Sequence, residues 1–150
     1  MGVLFEGTQF DNLKERGATM SPMFCSIVCK ASGMILENMQ AEYYTDAGEI
    51  DGVEFNKDGN IISIYECQSG IHKGEKLDEG HLGKALQNYL YDPKIFPTVK
   101  KVVILAGEYD ESIMRVFRER KKELSPHGIE IVPLITTREN DKIGVKRVLI

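Results

Sequence analysis

The sequence predicts an α/β fold with a central mixed sheet flanked by helices. Three observations carry that expectation. Two strand-like runs, EIDGVEF and NIISIYECQ, are joined by Asn56-Lys57-Asp58-Gly59-Asn60, and Asp-Gly in so short a connection signals a hairpin. Two later runs, VKKVVILAG and IEIVPLI, are short and apolar. Segments of helical period stand before the hairpin and between the later runs. The order is helix, strand, strand, strand or loop, helix, strand, helix, strand. It predicts a sheet that is antiparallel at first and is then joined by right-handed crossovers. A chain of 150 residues makes a single domain over 1–150 and buries roughly 70% of its unfolded surface.

Taken in order, SPMFCSIVCKASGMILENMQ reads as a helix. Ser21 is its N-cap, Pro22 suits the first turn, and Phe24, Ile27, Val28, Ala31 and Ile35 form one apolar face. The hairpin follows. SGIHKGEK is polar and Gly-rich, hence a loop. LDEGHLGKALQNYLYD reads as a helix with Leu82, Ala85, Leu86, Tyr89 and Leu90 on one side, ended by Asp92-Pro93. DESIMRVFRERKKEL is another, with Ile113, Val116, Phe117 and Leu124 inward and His127-Gly128 closing it. Pro133 makes IEIVPLI an edge or short strand, and GVKRVLI offers one more strand.

Composition excludes several classes. Hydrophobic residues make 42% and charged residues 28%, so the chain is neither disordered nor a disulfide scaffold. No apolar run approaches the ~20 residues of a membrane helix, and MGVLFEGTQF lacks the basic flank and apolar stretch of a signal peptide. Cys25, Cys29 and Cys67 are an odd set without a CxxC pair, which fits buried thiols in a reducing compartment. An intracellular, cytoplasmic protein without a membrane partner is expected. The net charge of −4 gives no bulk grip on nucleic acid, but it is unevenly spread. Residues 1–93 carry 7 basic and 15 acidic side chains, and residues 94–150 carry 12 basic and 8 acidic ones. Such a split suits a protein that gathers carboxylates in one place and offers basic surface elsewhere.

The chemistry concentrates in the hairpin. Strand side chains alternate, so Glu66 and Gln68 share a face with Ile62 and Ile64 and interrupt an apolar row. Hairpin pairing brings Asp51 across from Glu66. Two carboxylates that close repel each other unless a cation sits between them, and oxygen ligands of this kind suit Mg²⁺ or Mn²⁺. Such an ion activates water and stabilises charge on a phosphoryl oxygen. The plain alternatives are that Asp51, flanked by glycine, is a turn residue and that Glu66 pairs with Lys84. Glu49 shares the strand face of Asp51 as a supporting or an exposed acid. His72, Lys73 and Lys76 lie in the loop after the motif, positioned to meet phosphates. Arg115, Arg118, Arg120, Lys121 and Lys122 form a basic helix end that satisfies the helix dipole or meets a DNA backbone.

Asp51 followed by Glu66-Cys67-Gln68 resembles the D…(D/E)-x-K signature of the PD-(D/E)xK nuclease superfamily, in an E-x-Q form found in some restriction enzymes. The resemblance implies a restriction-endonuclease-like fold and a metal-dependent nuclease hydrolysing phosphodiester bonds in DNA. In it Asp51 and Glu66 hold Mg²⁺ (or Mn²⁺), and Gln68 positions the attacking water. Lys84, from the neighbouring helix, or a loop lysine replaces the missing lysine. Superfamily members often add a Glu from the first helix; Glu37 is the candidate for the metal, with Glu42 as the alternative if that helix runs on. Gln87 and Tyr91 form a Q-x-x-x-Y pattern similar to the late motif of RecB-like nucleases, where both lie near the substrate. Lys84, Gln87, Asn88 and Tyr91 share one side of their helix, whose other reading is a solvated face. An endonuclease cutting both strands needs two sites, so a homodimer or higher homo-oligomer is expected. The competing expectation is a catalytically inactive module of this fold that binds DNA or a protein partner.

Overall fold

The computed structural model describes residues 4–6, 33, 36–45, 48–67, 76–77, 97–139 and 142–150. Their strands are β1 (Leu4–Glu6), β2 (Met39–Thr45), β3 (Gly48–Phe55), β4 (Ile61–Cys67), β5 (Lys76–Leu77), β6 (Lys101–Ala106), β7 (Glu108–Tyr109), β8 (Glu130–Glu139) and β9 (Lys142–Arg147). Seven of them form one sheet in the order β1-β9-β8-β6-β4-β3-β2, and β5 pairs with β7 apart from it. The sheet is mixed. β2, β3 and β4 form an antiparallel meander, β4, β6 and β8 run parallel, and β9 and β1 return antiparallel. This is the antiparallel-then-parallel α/β arrangement expected.

The β3–β4 turn forms as its residues dictate. Asn56 Oδ1 accepts from the amides of Asp58 (2.9 Å) and Asn60 (3.0 Å), and the Asn56 amide donates to the Asn60 carbonyl at 2.8 Å. Gly59 supplies the left-handed φ of 83° that the turn requires.

The described α-helix, α1 (Glu111–Leu124), starts where its cap predicts. Asp110 Oδ1 accepts from the Ile113 amide at 3.1 Å and from the Ser112 hydroxyl at 2.6 Å. Lys121 and Lys122 stand in the last turn, against the negative end of the dipole. Ile113, Phe117 and Leu124 are buried, while Val116 packs at the margin of the core. The core joins them to Val53, Ile64, Val102, Ile104, Ala106 and Ile131 of the sheet. Tyr109 meets Phe117 edge-on, with ring centroids 5.0 Å apart. Its hydroxyl lies 2.9 Å from the Ile104 carbonyl and 2.8 Å from that of Leu134, bridging β6 and β8 with one proton. A short 3-10 helix, Ser125–His127, ends on Gly128 at φ 72°, the stop expected there. Among the described residues no helix is long and apolar enough to cross a membrane.

Three expectations are corrected. The first helix does not reach Gln40. Gly33 has φ 92°, which no α-helix passes through, Leu36–Asn38 is a 3-10 turn, and Met39 and Gln40 open β2. Residues 21–32 of that segment lie outside the described residues. Pro133 does not mark an edge. β8 is ten residues long and sits between β6 and β9. A strand residue's N–H and C=O point to the same side, and the Pro133 carbonyl accepts from the Val148 amide at 2.9 Å, one step past the last β8–β9 pair. The missing donor therefore falls at the end of that ladder and leaves the β6 side intact. Lys76 and Leu77 are strand residues in β5, not the end of a loop and the start of a helix; positions 78–92 of that helix lie outside the described residues.

Candidate functional site

The site begins with the parity of two strands. Gly52 pairs with Tyr65, Val53 with Ile64 and Glu54 with Ser63. One step beyond the first of these pairs, Asp51 and Glu66 stand at the same level of β3 and β4. Alternation puts both on the face of Val53 and Ile64. Asp51 is therefore not a turn residue; it sits inside an eight-residue strand. Both carboxylates are half-buried, and Glu66 Oε1 is sealed from solvent. On the other side of β4, Glu66 pairs with Ile104 of β6, which is buried. The polar pair thus ends against the apolar centre of the sheet.

The glycine after Asp51 has a separate cause. The Tyr65 side chain covers Gly52 on the opposite face, and a Cβ at position 52 would collide with its Cζ and its hydroxyl. Tyr65 is wholly buried there. One turn of the pleat further along, Glu54 is 5% exposed, and the Ser63 hydroxyl donates to its Oε1 at 2.7 Å. Pairing a buried carboxylate with a hydroxyl directly across the ladder limits the cost of desolvating it.

The edge strand adds a third acid to the level of Asp51. Ala41 pairs with Gly52 and Tyr43 with Ile50, so Glu42 occupies the register position opposite Asp51. Glu42, Asp51 and Glu66 thus form one row across β2, β3 and β4. Sequence reasoning weighed Glu42 only as a helical residue; the run Tyr43-Tyr44-Thr45 was the strand signal that could have placed it. Glu37, by contrast, is exposed in the 3-10 turn before β2. Met39 pairs with Glu54, three strand residues or about 10 Å from the level of Asp51, so the structure does not bring Glu37 to the pair.

Lys76 pairs with Glu108 just past the carboxyl end of β6, at the end of the sheet where Glu66 stands. Gln68, Lys73, Lys84, Gln87 and Tyr91 lie outside the described residues. The basic end of α1 is largely engaged locally. Arg118 meets Glu111 and Arg120 meets Glu123, each at 2.8 Å, and Lys121 Nζ donates to the Ile150 carbonyl at 2.7 Å.

Chemically, Asp51 and Glu66 are hard oxygen donors at one level of adjacent strands. The donor set fits Mg²⁺ or Mn²⁺. Among the described residues, no three His, Cys, Asp or Glu side chains come together as a metal-holding group. Comparison with family models, with curated proteins and with solved structures finds no match to this chain.

Proposed function

We propose that this protein is a divalent-metal-dependent nuclease that hydrolyses phosphodiester bonds in DNA, with the restriction-endonuclease-like fold its motif implies. The observation that carries the reading is the same-face, same-level placement of Asp51 and Glu66, with one Glu66 oxygen sealed from water. An acidic pair at one level of the sheet, beside the apolar Val53 and Ile64, offers hard oxygen donors to a cation. The meander followed by a parallel strand, with the acids on its second and third strands, also supports the fold assignment.

In this reading Asp51 and Glu66 hold the ion; Glu42 shares their level of the sheet, and Glu37 does not. A bound Mg²⁺ or Mn²⁺ would polarise the scissile phosphate and lower the pKa of a water. The Gln68 carboxamide orients the attacking water through its carbonyl and supplies no positive charge. Lys84 takes up the charge that develops on the phosphorus oxygens, Lys73 and Lys76 neutralise neighbouring phosphates, and Gln87 and Tyr91 contact the substrate strand. Cutting a duplex on both strands would use a homodimer or larger assembly.

The test is cleavage of plasmid and single-stranded DNA with Mg²⁺, with Mn²⁺ and with EDTA, beside the Asp51→Ala and Glu66→Ala variants. Products that disappear in EDTA and in both variants are expected. Unchanged cleavage in either folded variant rules the site out. A second reading draws on Gln68 standing where the signature has lysine and on a pI of about 5.4: an inactive module that binds DNA or a protein partner. It predicts affinity without turnover in any metal.

A further inference from the structure

We propose that Tyr44 is a stacking platform for an unpaired nucleobase, so that the nucleic acid engaged beside the acidic row is single-stranded DNA. The location of the reacting phosphate rests on the nuclease reading above; the stacking itself is measurable without turnover.

Tyr43 and Tyr44 are adjacent in β2 and point to opposite faces. Tyr43 packs against the core, its ring 6.0 Å from that of Phe55 in an edge-on contact. Tyr44 is 72% exposed, and with Leu149 it makes up the exposed large hydrophobic side chains among the described residues. β2 ends the order of the sheet, so Tyr44 stands on its rim. Its ladder partner is Glu49, two residues before Asp51 on the same face. Tyr44 and Asp51 are thus diagonal neighbours, a relation that spans roughly 7–8 Å. That is the scale separating a phosphate at the acidic pair from the base of an adjoining nucleotide.

Charge selects the part of the nucleotide. The exposed Tyr44 ring is uncharged, so it offers a stacking face to a neutral base and no counter-charge to a phosphate. A tyrosine held on a strand loses little rotamer freedom when a flat ring stacks on it. Every base has such a face, but bases within a duplex are already stacked on both sides, which leaves the unpaired strand as the occupant.

The chain contains no tryptophan, so Tyr44→Trp installs a sole indole reporter. In EDTA, where nothing is cut, adding oligothymidylate should quench its emission, and the same oligomer annealed to oligoadenylate should not. By fluorescence anisotropy of labelled oligothymidylate, Tyr44→Ala and the strand-favouring Tyr44→Thr should each weaken binding about tenfold. Tyr44→Phe should stay within about twofold of the parent. No binding by the parent protein, equal binding of duplex, an unaffected Tyr44→Ala, or a loss in Tyr44→Phe as large as in Tyr44→Ala overturns the platform. An effect of Tyr44→Ala confined to self-association assigns this rim to a second copy and also overturns it. The two readings fail separately. Ring-dependent binding without cleavage in any metal keeps the platform and removes the nuclease; metal-dependent cleavage with Tyr44→Ala binding like the parent does the reverse.

Discussion

In β6 the five residues from Val102 to Ala106 are all buried and apolar, and α1 adds Ile113, Phe117 and Leu124 to the same core. The neighbouring meander is built otherwise. β3 and β4 bury Glu54 and Ser63 on one face and hold Asp51 and Glu66 half-buried on the other, beside Val53 and Ile64. Both regions belong to one sheet and meet where Glu66 pairs with Ile104. Polar groups in a sheet interior weaken a fold unless they serve something else. In the proposed reading the difference is a division of labour, with stability resident in the β6–α1–β8 unit and chemistry in β2–β3–β4. Variants that move activity without stability, or stability without activity, put that division to the test.

The largest expected effect is on activity. Glu66→Gln keeps the size of the side chain and removes its charge. Cleavage should fall at least about a thousandfold, some 4 kcal/mol of transition-state stabilisation. The urea unfolding midpoint should stay near that of the parent, because the amide keeps the shape of the half-buried side chain. A variant that loses stability in proportion to activity would make Glu66 a structural residue. Phe117→Ala is the mirror experiment. It empties the centre of the α1 contact and deprives Tyr109 of its edge-on partner, and it should cost about 3–5 kcal/mol of stability. Protein that remains folded should cut at a near-parental rate, measured below the unfolding transition.

Gly52→Ala sharpens the comparison at the site itself. The new methyl would occupy the position of the Tyr65 ring, so a loss of roughly 1–3 kcal/mol is expected from overpacking. Adding Tyr65→Leu should recover part of it, and a double-mutant cycle reads the coupling. Additive losses would mean that the ring does not rest on the glycine.

These contrasts explain what the sequence disclosed. The β3–β4 hairpin was legible because Asn56, Asp58 and Gly59 are specified by local backbone chemistry that tertiary packing seldom overrides. The Asp51–Glu66 pair was legible because period-two alternation fixes which side chains share a face once the hairpin register is known. The placement of Glu42 was harder to read, since the apolar spacing around Gly33 reads as helix and competes with the strand signal of Tyr43-Tyr44-Thr45. Pro133 misled for a related reason. Whether a missing N–H matters depends on which neighbour that position faces, and this is set by how β9 pairs back onto β8, which the proline itself does not show. Gly52 allowed Asp51 to read as a turn residue; its cause is the Tyr65 ring across the ladder, a contact between strands rather than a local preference.

The smallest expected effect is at Asp110, where the two regions approach each other again. Its Oδ1 holds the first turn of α1, so Asp110→Ala should lose about 1 kcal/mol, and Asp110→Asn should retain most of it. Asp110 also follows β7, whose Glu108 pairs with Lys76, at the carboxyl end of β6 where Glu66 stands. If the division of labour holds, Asp110→Ala should lower the unfolding midpoint and leave metal-dependent cleavage unchanged at temperatures where the protein is folded. A cleavage loss of tenfold or more at full folding would exceed what the cap explains. It would place the start of α1 within the chemistry and move the boundary between the two regions from the β4–β6 ladder into the helix.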